Sequence, residues 1–218
     1  MPSARRNSVS PPVTGALIAP GAGAGSDQPA LVAIDKALTG RGLIVERLDF
    51  PYRLAGRRRP DPESVLEHTV REHADALASR LEVGTTAILL GGRSMGGRIC
   101  SQVVGTGLPA AGLALVSYPL HPPGRPERLR TAHFAALRVP CLFVSGSRDA
   151  FGTPEELEKA TALIPGPVTH VWIDGGDHGL RRKDEEVATA VCEWLTATFA
   201  TGQQSRARAA PQALLDES

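Results

Sequence analysis

The residues best suited to chemistry in this sequence begin with Ser94, in the run GGRSMGG at 91–97. Gly92, Ser94 and Gly96 form a GxSxG pattern directly after the apolar stretch TAILL. A serine at the tip of a sharp strand-to-helix turn needs a strained backbone and closely approaching chain, and glycine on either side removes the side chains that would clash. The pattern also arises by chance in glycine-rich turns, so its chemistry depends on partners. A hydroxyl becomes a competent nucleophile when an imidazole accepts its proton and a carboxylate fixes the tautomer of that imidazole. Where a GxSxG serine tops a strand, the acid and then the histidine follow along the chain, each in a loop beyond a strand end. This sequence has that order. CLFVS runs into GSRD, which puts Asp149 past the sheet edge, and HVWID runs into GGDHG, which puts His178 in the next such loop. Asp174 and Asp177 are alternative acids, but both share the histidine's own loop, where forming or capping a turn is the commoner role. Asp149 is the preferred partner.

An oxyanion forming beside Ser94 needs donors. A helix starting at Met95 aims its free amides and positive dipole end at that point, so the Met95 amide is one expected donor. The second is expected from APGAGAGS at 19–26, through the amide of Ala22 or Gly23. The same string resembles a nucleotide-binding turn, but Gly21, Gly23 and Gly25 simply alternate, the GxGxxG spacing is absent and there is no lysine. Arg93 beside Ser94 and Arg148 beside Asp149 are candidates to face an anionic acyl or leaving group, although exposed arginines more often serve as solvated charge. His121, in YPLHPPG, follows a strand from the middle of the sheet and is a candidate substrate contact. His68, His73, His133 and His170 read as surface or packing residues.

The elements that must position these groups alternate in period. Short apolar runs predict strands at Thr14 to Ala19, Leu43 to Leu48, Thr86 to Leu90, Gly112 to Ser117, Cys141 to Ser145 and Thr169 to Ile173. Helical spacing predicts helices from Asp27 to Leu38, Pro62 to Leu81, Met95 to about Val104, Pro154 to Leu163 and Asp184 to Phe199. In the first, a polar cap is expected at the start and a left-handed Gly40 beyond the end. In the second, Val65, Leu66, Val70, Ala74, Leu77, Ala78 and Leu81 make one apolar stripe. Strands alternating with helices argue for an α/β fold with a mostly parallel central sheet covered by helices on both faces. The proline-rich stretch from Tyr118 to Leu137 reads as a loop with a short helix near the site.

The chain of 218 residues is suited to one substantial domain, 13–200, between flexible tails at 1–12 and 201–218. With 24 basic and 23 acidic side chains, long-range attraction to nucleic acid or anionic lipid is not expected. No apolar stretch approaches the roughly 20 residues that span a bilayer. The opening MPSARRNSVSPP has two arginines, but Pro11, Pro12 and the short apolar run after them do not make an export signal, so the cytoplasm is the expected compartment. Three cysteines, Cys100, Cys141 and Cys192, lie far apart inside apolar runs and read as reduced, buried thiols. No metal or organic cofactor is required, since a hydroxyl, an imidazole, a carboxylate and two amides suffice for acyl transfer.

The runs PGAGAG, DFPYR, GGRSMGGR, SYPLHPPGRPERLR, GSRDAFGTPEEL and GGDHGL occur in the order seen in a group of α/β-hydrolases. That group includes the testis-expressed protein 30 type and the hydrolase-like region of a nonspecific-lethal histone acetyltransferase complex subunit, and is distantly similar to dienelactone hydrolases. The resemblance covers roughly residues 13 to 200. It implies an α/β-hydrolase fold with a minimal lid or none, Ser94 as nucleophile, Asp149 as acid, His178 as base and the PGAG loop as the oxyanion wall. One departure is that the group usually has histidine before the first glycine of that loop, where this chain has Pro20. The expected activity is that of an esterase-type serine hydrolase acting on a small ester or related acyl substrate. Some members of such folds serve as scaffolds, so the alternative is a noncatalytic module that binds a protein partner through the loop at 118–137 or the tails.

Overall fold

A computed structural model describes residues 12–199, so the expected tails, Pro12 apart, lie outside the described residues. The first strand is β1 (Gly15–Ala19), and helix α1 (Pro29–Thr39) leads from it to β2 (Ile44–Arg47). A short α2 (Pro51–Leu54) and a long α3 (Glu63–Arg80) then carry the chain back to β3 (Ile88–Arg93). The remainder alternates: α4 (Met95–Gly105), β4 (Gly112–Val116), β5 (Cys141–Gly146), α5 (Pro154–Thr161), β6 (Val168–Ile173) and α6 (Asp184–Phe199). All neighbouring strands pair in parallel, in the order β2-β1-β3-β4-β5-β6.

The alternation of side chains along each strand divides the core between two faces. Leu17, Ala19, Leu90, Leu115 and Phe143 pack with α3, α4 and α5. Ala16, Ile18, Leu89, Ala114 and Val144 pack with α1 and α6. Because both faces are covered, the central strands are apolar through their middles, with Arg93 and Ser145 only near the carboxyl ends of β3 and β5, which explains their apolar runs. The three cysteines are free and buried, and burial pushes the Cys100 and Cys141 thiols up to about 12. No helix among the described residues is long and apolar enough to cross a membrane.

The strand order contains a switch. From β1 the chain moves outward to β2, then crosses back so that β3 lies on the other side of β1. The loops leaving the carboxyl ends of β1 and β3 therefore diverge, and the crevice between them is where open α/β sheets bind ligands.

Several local expectations are corrected. Helix α1 begins at Pro29 with no side-chain cap, because the Gln28 side chain turns away to accept from the Gly21 amide at 3.0 Å. Gly40 is right-handed, with φ of −60°; the chain reverses at Gly42, with φ of +86°. On α3, Val65 lies outside the stripe at 39% exposure, and buried Thr69 takes a place on it by turning its hydroxyl to the Val65 carbonyl. The connection at 117–140 carries one 3-10 turn, Phe134–Ala136, and no inserted domain.

Helix α4 sits close to β1 because Gly96 has no side chain. A Cβ there would lie 2.2 Å from the Ala19 carbonyl oxygen and 2.6 Å from that of Pro20, both backbone. Gly96→Ala must push α4 off the strand that begins the oxyanion loop. The expected cost is on the order of 2–3 kcal/mol, read as a lower urea midpoint with an unchanged slope.

Candidate active site

Ser94 occupies the turn between β3 and α4 with φ of +49° and ψ of −115°, a region costly for any residue with a side chain. The surroundings hold it there. Its amide donates to the Val116 carbonyl at 2.8 Å, extending the β3–β4 pairing through the turn, and its carbonyl accepts from the Arg98 amide at 3.0 Å, starting α4. Gly92, at φ of +155°, lies in β3 two residues before the turn, where a Cβ would strike the Ala19 carbonyl at 2.2 Å. The strain aims the Ser94 hydroxyl out of the sheet end.

Asp149 and His178 come from the loops after β5 and β6, which backbone bonds join. The Ser147 amide donates to the Ile173 carbonyl at 3.0 Å and the Arg148 amide to the Gly176 carbonyl at 2.8 Å. These loops pass so closely that a Cβ on Gly146 would lie 2.2 Å from the Gly176 oxygen.

The three side chains meet. Ser94 Oγ lies 2.8 Å from His178 Nε2, and His178 Nδ1 lies 2.8 and 3.0 Å from the two Asp149 oxygens. The carboxylate assigns the ring proton to Nδ1, leaving the Nε2 lone pair to accept from the hydroxyl. Asp149 is 3% exposed, and its Oδ1 also accepts from the Phe151 amide at 2.8 Å. The competing acids are occupied elsewhere: Asp177 accepts from the Gly179 and Leu180 amides of its own turn, and Asp174 from the Ser147 hydroxyl.

Two amides of residues that line the cleft beside Ser94 are unspent. No acceptor among the described residues takes the Met95 amide at the start of α4 or the Ala22 amide. The neighbouring amides are spent: Gly21 on Gln28, Gly23 on the Tyr52 hydroxyl at 3.1 Å and Ala24 on the Gly21 carbonyl, with Ser26 on Asp49 further along. The expectation of Gly23 as a donor is therefore corrected: of the two, Ala22 has the free amide, and it lines the cleft. Pro20 has no amide to offer.

The cleft over Ser94 has a volume of about 460 Å³, within the range for small-molecule sites. Arg93 lines it, with Nη2 donating to the His178 carbonyl at 2.6 Å. Burial pulls its pKa down, against the charges of Asp149, Asp184 and Asp177. Arg148 is exposed and lies outside the lining. His121 also lies outside it, which corrects the expected substrate contact: it is 5% exposed, with Nδ1 on the Pro122 carbonyl and Nε2 3.3 Å from Glu156. Glu156 belongs to the capping box that starts α5, with Thr153 as its partner, so His121 is drawn to the helix start instead of the cleft. Of the remaining histidines, His68 and His73 pair with Glu72 and Glu46. His133 and His170 are held by the Ser101 and Thr161 hydroxyls.

Sequence reasoning missed the aromatic support of the histidine. Phe151 stacks on the His178 ring with centroids 3.9 Å apart and planes at 24°. It also missed Pro60, Asp61, Glu63, Leu66, Arg98, Pro119 and Arg130 as cleft walls. They come from α3, α4 and the loops at 60–62 and 118–130, and no single motif spans them.

A parallel sheet with a serine on the turn after β3, an acid after β5 and a histidine after β6 is the α/β-hydrolase arrangement. The chain matches the alpha/beta hydrolase domain family over residues 13–203 and belongs to it. Its fold is similar to that of an alpha-beta serine hydrolase homologue from Coxiella burnetii, with a TM-score of 0.70 and 21% identity over 84% of this chain and 85% of that one. It is also similar to a dienelactone hydrolase from Anabaena variabilis, with a TM-score of 0.67 and 16% identity over 85% of this chain and 87% of that one. A monoacylglycerol lipase from Paleococcus ferrophilus gives a TM-score of 0.67 and 15% identity over 85% of this chain and 95% of that one. At these identities the likeness is one of fold.

Proposed function

We propose that this hydrolase is an esterase that acts on a small ester or related acyl substrate through Ser94, His178 and Asp149. The observation that carries the reading is the continuous hydrogen-bonded line from the Ser94 hydroxyl through His178 to Asp149, at 2.8 Å for each link, on the floor of an open cleft. His178 Nε2 takes the hydroxyl proton as Ser94 Oγ attacks the acyl carbon, and Asp149 stabilises the imidazolium. The Met95 and Ala22 amides hold the oxygen that becomes negative. His178 then gives its proton to the departing alkoxide, leaving an acyl-serine. A water molecule, deprotonated by the same nitrogen, attacks the acyl carbon and releases the acid with Ser94 restored. Among α/β-hydrolases, the sequence runs quoted above favour placement with the testis-expressed protein 30 type.

Purified protein is expected to hydrolyse members of a panel of p-nitrophenyl esters of increasing acyl length, with the shorter chains preferred because the cleft is small. Absence of hydrolysis across the panel, with folded protein, contradicts the esterase reading. Phe151 supports the ring that moves the proton, so Phe151→Ala is expected to lower kcat about ten- to a hundredfold with a smaller change in KM. Equal kcat in the two proteins would show that the stacking does not position His178.

A further inference from the structure

The charges lining the cleft are unevenly paired. Three arginines, Arg93, Arg98 and Arg130, face it with two carboxylates, Asp61 and Glu63. Glu63 is taken by Arg98 Nη1 at 2.8 Å and by the Gln102 amide group. Asp61 Oδ1 is taken by Arg57 at 2.7 Å, while its buried Oδ2 has no hydrogen-bond partner among the described residues. Arg93 and Arg130 are left with no carboxylate within ion-pair distance among the described residues.

Arg93 is committed to the His178 carbonyl. Arg130 is committed to less. Its side chain makes one bond, from Nη1 to the Pro119 carbonyl at 3.2 Å. Its backbone is fixed at both ends, the amide donating to the Leu120 carbonyl at 2.8 Å and the carbonyl accepting from the buried Tyr118 hydroxyl at 2.6 Å. A guanidinium anchored in this way is preorganised, and its remaining donors stay free. Burial, and after it the positive charge of Arg98, pull the Arg130 pKa down. Arg98, whose charge Glu63 meets at 2.8 Å, lines the same cleft, so Arg130 is the guanidinium with donors to spare for an incoming anion. Exposed Arg58 and Arg59 stand beside Pro60 and Asp61, extending the positive field to the rim.

We propose that the substrate is an ester bearing an anionic group, a carboxylate or phosphate, bound by Arg130 with Arg98 beside it while the acyl carbon sits over Ser94. This rests on the esterase reading above. Arginine suits such a group because its planar fork donates two parallel bonds to a carboxylate or phosphate.

The test compares esters matched in size. In one arm the charge is in the acyl half, p-nitrophenyl hydrogen glutarate against p-nitrophenyl valerate. In the other it is in the alcohol half, 4-acetoxybenzoate against its methyl ester. At low ionic strength the wild type is expected to prefer the anionic member in one arm by about tenfold or more in kcat/KM, and added salt should reduce the preference. Arg130→Gln keeps the backbone anchors and should lower that ratio ten- to a hundredfold. Arg130→Lys should lower it less, and Arg148→Gln, off the cleft, should leave it alone. A wild-type ratio at or below one in both arms, or the same ratio in wild type and Arg130→Gln, overturns the proposal. If no ester is turned over, the esterase reading has failed and the anion site is read separately by titrating glutarate into Ser94→Ala protein. Saturable binding that disappears when Arg130→Gln is added supports the site; no binding, or binding indifferent to Arg130, overturns it.

Discussion

Ser94→Ala is expected to cut ester hydrolysis by on the order of 10⁴ to 10⁶ in kcat while leaving the fold intact. The size of the effect follows from what remains. Without the hydroxyl there is no atom to form the acyl intermediate, and His178 and the two amides can only assist direct attack by water. Stability should change little, because the Ser94 hydroxyl makes its one bond to His178 and the turn is held by backbone bonds to Val116 and Arg98. Alanine still bears the strain of a positive φ, so no stabilisation is expected. Hydrolysis of a p-nitrophenyl ester within tenfold of wild type would place the nucleophile elsewhere.

Asp149→Asn should be the next most severe change, with kcat falling on the order of 10³ to 10⁴. The reason lies in the second bond of Asp149. Its Oδ1 accepts from the Phe151 amide as well as facing His178. In the asparagine variant that backbone donor claims the only remaining oxygen, so the amide group turns its N–H toward His178 Nδ1. The ring must then carry its proton on Nε2, where it can no longer accept from Ser94. The variant should fold normally, since a buried charge has been exchanged for a neutral group of the same shape. The check is kcat on the best ester of the panel alongside a thermal melt; near wild-type kcat would mean that Asp149 does not set the tautomer.

The legible parts of this molecule are those carried by short, local signals. The alternation of apolar runs with helical stretches led to a covered parallel sheet, because strands buried on both faces are mostly apolar. The chain order of Ser94, Asp149 and His178 pointed to three loops at one end of that sheet, and the structure brings their side chains within hydrogen-bond distance. What could not be read depends on partners remote in sequence. Ala22 rather than Gly23 has the free amide because the Tyr52 hydroxyl reaches in from α2. His121 left the cleft because Glu156, 35 residues on, offers it a carboxylate at the start of α5. Gly40 was expected in a left-handed turn, but α1 winds to Thr39 and the reversal falls to Gly42. Phe151 stood in plain sight two residues after Asp149, yet its stacking on His178 follows only from how the β5 and β6 loops are zipped together.

The most direct measurement is covalent. A fluorophosphonate reacts with a serine only when that serine is activated as a nucleophile, so wild-type protein treated with such a probe should gain one adduct, mapped by peptide mass spectrometry to Ser94. Labelling should slow sharply in His178→Ala. Folded protein that stays unmodified, or an adduct on another residue, would contradict the assignment of Ser94 as the nucleophile.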